Sequence, residues 1–141
     1  MLDDDLSRAL PLIRTGIDIC DVREVWRKLR RSPGLREDVF SPREIAYCER
    51  FPDPAPHYAA RFAAKEAFAK AVGLDLLTLD LAQIEVQHGE GGRPHLALLD
   101  ANIRERAKVS LGAVQLSFDV SISHEADYAV ASVVILAVVA S

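Results

Sequence analysis

The segment from His57 to Val72, HYAARFAAKEAFAKAV, restricts what this chain can fold into more than any other stretch. Alanine has the highest intrinsic helix propensity, and the run lies between Pro56 and Gly73, residues that favour a helix start and a helix stop. A long helix is predicted after Pro56, ending at Gly73. At about 100° per residue, Ala60, Ala64, Ala67 and Ala71 form one stripe of small side chains, which lets a neighbouring element come close. Phe62 and Ala69 lie roughly opposite. Glu66 and Lys70 fall together on one flank between these faces, and Arg61 and Lys65 share the other. Taken alone, Glu66 and Lys70 read as an exposed i,i+4 pair that adds about 0.2 to 0.5 kcal/mol to a helix.

The other elements follow from periodicity and punctuation. Leu12 to Ile19 has the β-branched content of a strand, which would deliver Asp18 to its carboxyl end. Asp21 is a plausible N-cap for VREVWRKLRR, where Val22, Val25, Trp26 and Leu29 recur at helical spacing and Arg23, Arg27, Arg30 and Arg31 occupy the remaining surface. Ser32-Pro33-Gly34 ends that helix. Ser41-Pro42-Arg43-Glu44 is a second helix start with a capping box. Strands are predicted over residues 82–87 and 95–99, joined by a turn through Gly89 to Pro94. Asp100 caps a helix through Lys108, and two final strands cover residues 114–123 and 128–138, joined by a polar turn around His124 to Asp127.

These elements predict an α+β fold in which an antiparallel sheet packs on the alanine-rich helix, with smaller helices at its edge. With 141 residues, half of them apolar, one domain is expected, here assigned to residues 12–141 after an extension over residues 1–11. The opening MLDDDLSRAL has aspartates where a signal peptide needs positive charge, and the longest apolar run, Ala129 to Ala140, is shorter than the ~18 residues of a membrane span. That run reads as a buried strand, and a cytoplasmic location without membrane contact is expected. Cys20 and Cys48 lack the spacing of a zinc site or a disulfide framework. The net charge of −4 argues against a dedicated nucleic-acid binder.

Three segments, read in order, closely resemble the motifs of the holo-acyl-carrier-protein synthases, within the 4'-phosphopantetheinyl transferase superfamily. They are GIDIC at Gly16 to Cys20, RFAAKEAFAKAVG at Arg61 to Gly73, and DVSISHEADYAVASVV at Asp119 to Val134. The middle one matches the family pattern RFAxKEAxxKxxG without a gap, and the GGRP turn is similar to the family's GKP turn. The resemblance implies transfer of the phosphopantetheine arm of coenzyme A to a serine of an apo acyl carrier protein, with release of adenosine 3',5'-bisphosphate. It implies Asp18 and Glu66 as ligands of Mg²⁺, with Asp18, Glu66 and Lys70 as the catalytic residues. Coenzyme A would be held by Arg61 and Lys65, with Ser123 and His124 reaching it from a neighbouring subunit of a homotrimer. Arg23, Arg27 and Arg30, with Arg31, suit docking of an acidic carrier protein of fatty-acid or polyketide synthesis.

The chain departs from the family pattern at Arg14, where a first glycine is usual, at Glu24, where an arginine is usual, and at Leu74, where a second glycine is usual. The metal and lysine positions are intact, so activity is expected, with a different carrier as partner. Two other readings compete: a catalytically silent binder of coenzyme A or carrier protein, and a small nucleic-acid-binding protein using the basic helix. Intact Asp18, Glu66 and Lys70 oppose the first, while net acidity and few aromatics oppose the second.

Overall fold

The computed structural model describes residues 9–140. Strand β1 (Ala9–Asp21) leads into helices α1 (Val22–Arg31), α2 (Leu35–Val39), α3 (Pro42–Cys48) and α4 (Ala55–Val72). Short 3-10 turns then precede the hairpin strands β2 (Ile84–His88) and β3 (Pro94–Leu98). Helix α5 (Ala101–Leu111) and strands β4 (Ala113–His124) and β5 (Tyr128–Ala140) complete the order. The architecture is α+β and antiparallel, but it has two sheets: a three-stranded one in the order β1-β5-β4 and the separate β2-β3 pair. Residues 9–11, within the stretch assigned to the extension, belong to β1; residues 1–8 lie outside the described residues.

Helix α4 is the centre of the fold because its stripe carries almost no side chain. Ala60, Ala64, Ala67 and Ala71 are each at most 2 % exposed and meet a sheet face that is itself rich in alanine. In β5, Ala129, Ala131, Val133, Ile135 and Ala137 alternate inward and are fully buried. The tightest point is Gly16, paired with Val133 in the sheet: a Cβ there would stand 1.9 Å from the carbonyl oxygen of Ala67. Glycine is thus the one residue that lets helix backbone touch strand backbone at this level. Gly73, with φ of 72°, then closes the helix in the left-handed conformation, and its neighbour Leu74 donates its backbone N–H to Ala69 O.

The punctuation read from the sequence is present at atomic level. Asp21 accepts from Glu24 N at 3.0 Å, and Ser41 and Glu44 exchange both bonds of a capping box. Asp100 accepts from Asn102 N. Helix α2 was not anticipated; its five residues form one short turn of helix between two proline-marked boundaries, too short for a hydrophobic period to register.

Strand β5 corrects the reading of residues 129–140 as a buried strand. Its inner face is buried, but Val134 and Leu136 on the outer face are 44 % and 48 % exposed. Ile13, Ile17 and Ile19 of the adjoining β1 extend this open apolar face. Among the described residues no helix is long and apolar enough to cross a membrane.

Substituting Gly16→Ala is expected to lower folding stability by about 2 to 3 kcal/mol, because strand or helix backbone must shift to admit the methyl group. Urea unfolding of the purified variant beside the parent measures it; equal midpoints would show that the contact tolerates a side chain.

Candidate active site

Asp18 is the second inward-facing residue from the end of β1, between Gly16 and Cys20, and it faces the flank of α4 that carries Glu66 and Lys70. The close backbone contact at Gly16 sets this distance. Lys70 Nζ donates to Asp18 Oδ1 at 3.2 Å and to Ile17 O at 3.1 Å. The lysine therefore bridges helix to strand, and the i,i+4 partnership with Glu66 expected for an isolated helix is replaced by one with Asp18. Asp18 is nearly buried, whereas the Lys70 side chain is 57 % exposed.

Cys20 lies beside the pair, a contact that the sequence analysis did not predict. Its thiol donates to Asp18 Oδ2 at 3.1 Å, and donor atoms of Asp18, Cys20 and Glu66 all lie within 4.8 Å of one another. Sequence spacing could not find this trio, since Glu66 arrives from a helix that only folding brings alongside.

The electrostatics record the crowding. Burial first, then the hydrogen bond and charge of Asp18, push the Glu66 carboxyl up to about 7; Lys70 and Lys28 pull the other way. Burial, with Asp18 next, also pushes the Cys20 thiol up. Two carboxylates at this separation must share a proton or a cation. The donor set suits a hard divalent ion, which takes a few carboxylates and completes its shell from solvent or substrate oxygens.

The opposite flank of α4 divides. Lys65 does not reach solvent, contrary to its expected place beside a phosphate. Its Nζ lies 2.6 Å from Glu44 Oε1 and 2.7 Å from Leu81 O, with the side chains of both members of the pair fully buried. Glu44 also accepts from Ser41 N and Val86 N, so this ion pair ties α3, α4 and β2 together. Desolvation lowers the Lys65 pKa against the pull of Glu44.

Arg61 is also buried, but in a pocket of aromatic and histidine rings. One guanidinium nitrogen donates to His57 O, another lies 2.9 Å from His88 Nε2, and its carbon sits 4.1 Å from the Tyr47 ring centre. Its Nε has no partner among the described residues. His57 stacks on Phe51 and meets the His124 ring edge-on at 5.0 Å, so His124, at the end of β4, lies against α4 of its own chain. Burial first, then His124 and Arg61, hold the His57 imidazole below its ordinary range. His57 stands one helical turn before Arg61 and was legible in principle; Tyr47, Phe51 and His88 carry no sequence signal that joins them to it. Ser123 and His124 are exposed.

The basic helix α1 presents Arg23, Arg27, Arg30 and Arg31 to solvent around Trp26, with Arg23 3.6 Å from Asp127. Glu24 occupies its first turn and pairs with Lys28 at 3.4 Å. Arg14 is exposed and bonds Ile13 O, while Leu74 packs on the main core.

A sequence model of the 4'-phosphopantetheinyl transferase superfamily matches residues 14–133. The chain is 40 % identical over 119 residues to the holo-[acyl-carrier-protein] synthase of Cytophaga hutchinsonii, covering 84 % of this chain and 92 % of that one. It is 39 % identical over 120 residues to that of Moorella thermoacetica, covering 85 % and 91 %. Among solved structures, the ACPS-CoA complex of Chronobacterium ammoniagenes superposes with a TM-score of 0.79 at 28 % identity, covering 89 % of this chain and 98 % of that one.

Two expectations follow. Between pH ~4.5 and ~7 the folded, metal-free protein retains a proton on Glu66 that the unfolded chain has released, so stability falls as pH rises through this window. Glu66→Gln should remove about 1 kcal/mol of that fall, a figure already reduced for the solvent around a half-buried group. Thermal unfolding of both proteins at pH 5 and pH 8 reads it, and parallel pH profiles would contradict it. Lys65→Met, which leaves the Glu44 charge buried and unpaired, should cost about 3 kcal/mol in urea unfolding; an unchanged midpoint would argue against a structural pair.

Proposed function

The chain belongs to the 4'-phosphopantetheinyl transferase superfamily, and on that basis we propose that it is a holo-[acyl-carrier-protein] synthase. It moves the 4'-phosphopantetheine group of coenzyme A to a serine of an apo acyl carrier protein and releases adenosine 3',5'-bisphosphate. The observation that carries the reading is the junction of Asp18, Glu66 and Lys70 at one point of the β1–α4 contact, in a chain covering nearly the full length of synthases at about 40 % identity.

Asp18 and Glu66 would hold Mg²⁺, which when bound neutralises negative charge on the cofactor diphosphate and so favours attack there. Glu66 takes the proton of the carrier serine hydroxyl. The serine oxygen forms its bond to the phosphorus that bears pantetheine, the bond from that phosphorus to the nucleotide phosphate breaks, and the electron pair leaves with adenosine 3',5'-bisphosphate. Lys70, held by Asp18 and Ile17 O, keeps its ammonium at the mouth of the site, where it offsets charge on the departing phosphate. The residues supply position and charge; little else is needed for phosphoryl-type transfer.

Arg61 is proposed to serve the nucleotide phosphates. Support comes from its unpartnered Nε and from a guanidinium held rigidly by Tyr47, His57 and His88, although substrate must find it beneath neighbouring rings. The burial of Lys65 in its pair with Glu44 weighs against a direct phosphate contact, and its part is better read as holding α4 in place. Ser123 and His124, exposed at the end of β4, are proposed to complete the cofactor site of a neighbouring subunit. The open apolar face of β1 and β5 favours such a homotrimer, since exposed patches of this kind mark association surfaces. Arg23, Arg27, Arg30 and Arg31 offer a positive face to an acidic carrier.

Incubated with apo carrier protein, coenzyme A and Mg²⁺, the protein should add one phosphopantetheine to the carrier by intact mass, and EDTA should abolish the gain. Glu66→Gln should lower the turnover by about 10²- to 10⁴-fold. Retained binding of coenzyme A with no mass gain on several carriers would favour a silent binding homologue instead.

A further inference from the structure

Arg61 is a buried cation with no carboxylate to match it. It is 3 % exposed, and among the described residues its guanidinium donates to His57 O at 3.3 Å and lies 2.9 Å from His88 Nε2, with Nε left over. A desolvated cation in that state is costly, and an incoming anion relieves the cost. The guanidinium is planar, so the direction in which it is held decides how well an anion is received. Among the described residues, His88 is the one side chain that holds it by a hydrogen bond.

His88 ends β2 at the edge of the turn through Gly89 to Pro94, and the residue is exposed. A histidine in such a place ordinarily spends its ring nitrogens on water. Here both are committed to the protein. Gly91 and Gly92 have φ of 69° and 74°, the left-handed region that glycine favours, and Gly89 N–H closes their turn by donating to Arg93 O at 2.8 Å. This brings Gly92 O to 3.2 Å from His88 Nδ1. A carbonyl only accepts and a guanidinium only donates, so His88 donates from Nδ1 and accepts at Nε2. Both bonds are satisfied by one form of the ring, the neutral tautomer with its proton on Nδ1. Tyr47 fixes the plane: the His88 ring stacks on it at 4.7 Å between centroids, and the Arg61 guanidinium carbon stands 4.1 Å from the same centroid. The short contact between Arg61 and His88 places both over one face of that tyrosine.

We propose that His88 is a positioning residue for the nucleotide phosphates of coenzyme A: through its Nδ1–H tautomer it ties Arg61 to the β2–β3 turn and so aims the guanidinium at the anion. The inference rests on the reading of Arg61 as a phosphate-binding group. His88 moves no proton and touches no substrate. It occupies one terminal nitrogen of Arg61 and leaves Nε for the anion. Without the acceptor, the guanidinium keeps its charge but loses its direction, so the loss falls on cofactor binding and not on turnover. Two substitutions separate these features. Glutamine carries an amide oxygen about as far from the backbone as Nε2 and keeps the acceptor, whereas phenylalanine keeps the stack on Tyr47 and removes it.

The tautomer is read directly by ¹⁵N NMR of the histidine-labelled protein, free of ligand at pH 8. The ring signals that disappear in His88→Gln should show a protonated Nδ1 and an unprotonated Nε2. Signals of the Nε2–H form, or an exchange average of the two, would overturn the link between turn and arginine. Calorimetry with coenzyme A reads its purpose. His88→Phe should bind coenzyme A about tenfold more weakly, and His88→Gln should recover to within about threefold of the parent, with circular dichroism confirming that each is folded. In turnover with apo carrier protein, the Phe variant should raise KM for coenzyme A about tenfold and leave kcat within about twofold. Parent-like affinity in the Phe variant, a fall in kcat without a rise in KM, or no recovery in the Gln variant would each overturn the positioning role. Arg61→Gln separates this inference from the reading beneath it. Weaker binding in Arg61→Gln but not in His88→Phe would remove His88 alone; parent-like binding in Arg61→Gln would remove the phosphate role of Arg61 and this inference with it.

Discussion

The contact between the backbone of β1 and the backbone of α4, possible only because residue 16 has no side chain, is the constraint on which the site depends. Asp18 and Glu66 lie far apart in the chain and on elements of different type. What makes them neighbours is a helix lying unusually deep on a sheet, with Ala67 O where a Cβ of residue 16 would be. The alanine stripe on one side and the alanines of β5 on the other serve the same end. Any larger side chain in this layer would lift the helix and move Glu66 and Lys70 away from the strand.

Close packing of this kind creates an electrostatic problem that the rest of the site is arranged around. Two carboxylates and a thiol share a small, partly dry space, and burial alone would drive them toward their neutral forms. Lys70 relieves part of this by bonding Asp18 from the solvent side. What remains is a standing deficit of positive charge, the condition under which a divalent cation and an anionic cofactor can bind together. The buried Lys65–Glu44 pair solves a separate problem, locking α3 and β2 against the far side of the same helix.

Much of this was legible in the chain itself. Alanine spacing, Gly73 and the capping residues Asp21, Ser41 and Asp100 each act over three or four residues, and local chemistry of that range is visible in a sequence. The Asp18, Glu66 and Lys70 set was reached through the family pattern, because no local rule links a strand residue to a helix many positions later. Lys65 was misplaced for the same reason: its partner Glu44 is 21 residues away, and helical phase alone cannot distinguish a flank facing solvent from one facing a neighbouring helix. Cys20 and the ring cluster of Tyr47, Phe51, His57 and His88 around Arg61 are likewise products of tertiary contact. The outer face of β5 reads as buried in the sequence because its residues are apolar, yet only its inner face is covered by this chain.

The central claim is that strand and helix meet so that the side chains at 18 and 66 bind one ion between them. Anomalous diffraction from a crystal soaked with Mn²⁺ and coenzyme A measures this directly. The account predicts a single strong peak within bonding distance of a carboxylate oxygen from each residue, with the cofactor diphosphate on its open side. A peak bonded to only one of the two, or placed elsewhere on the chain, would contradict it.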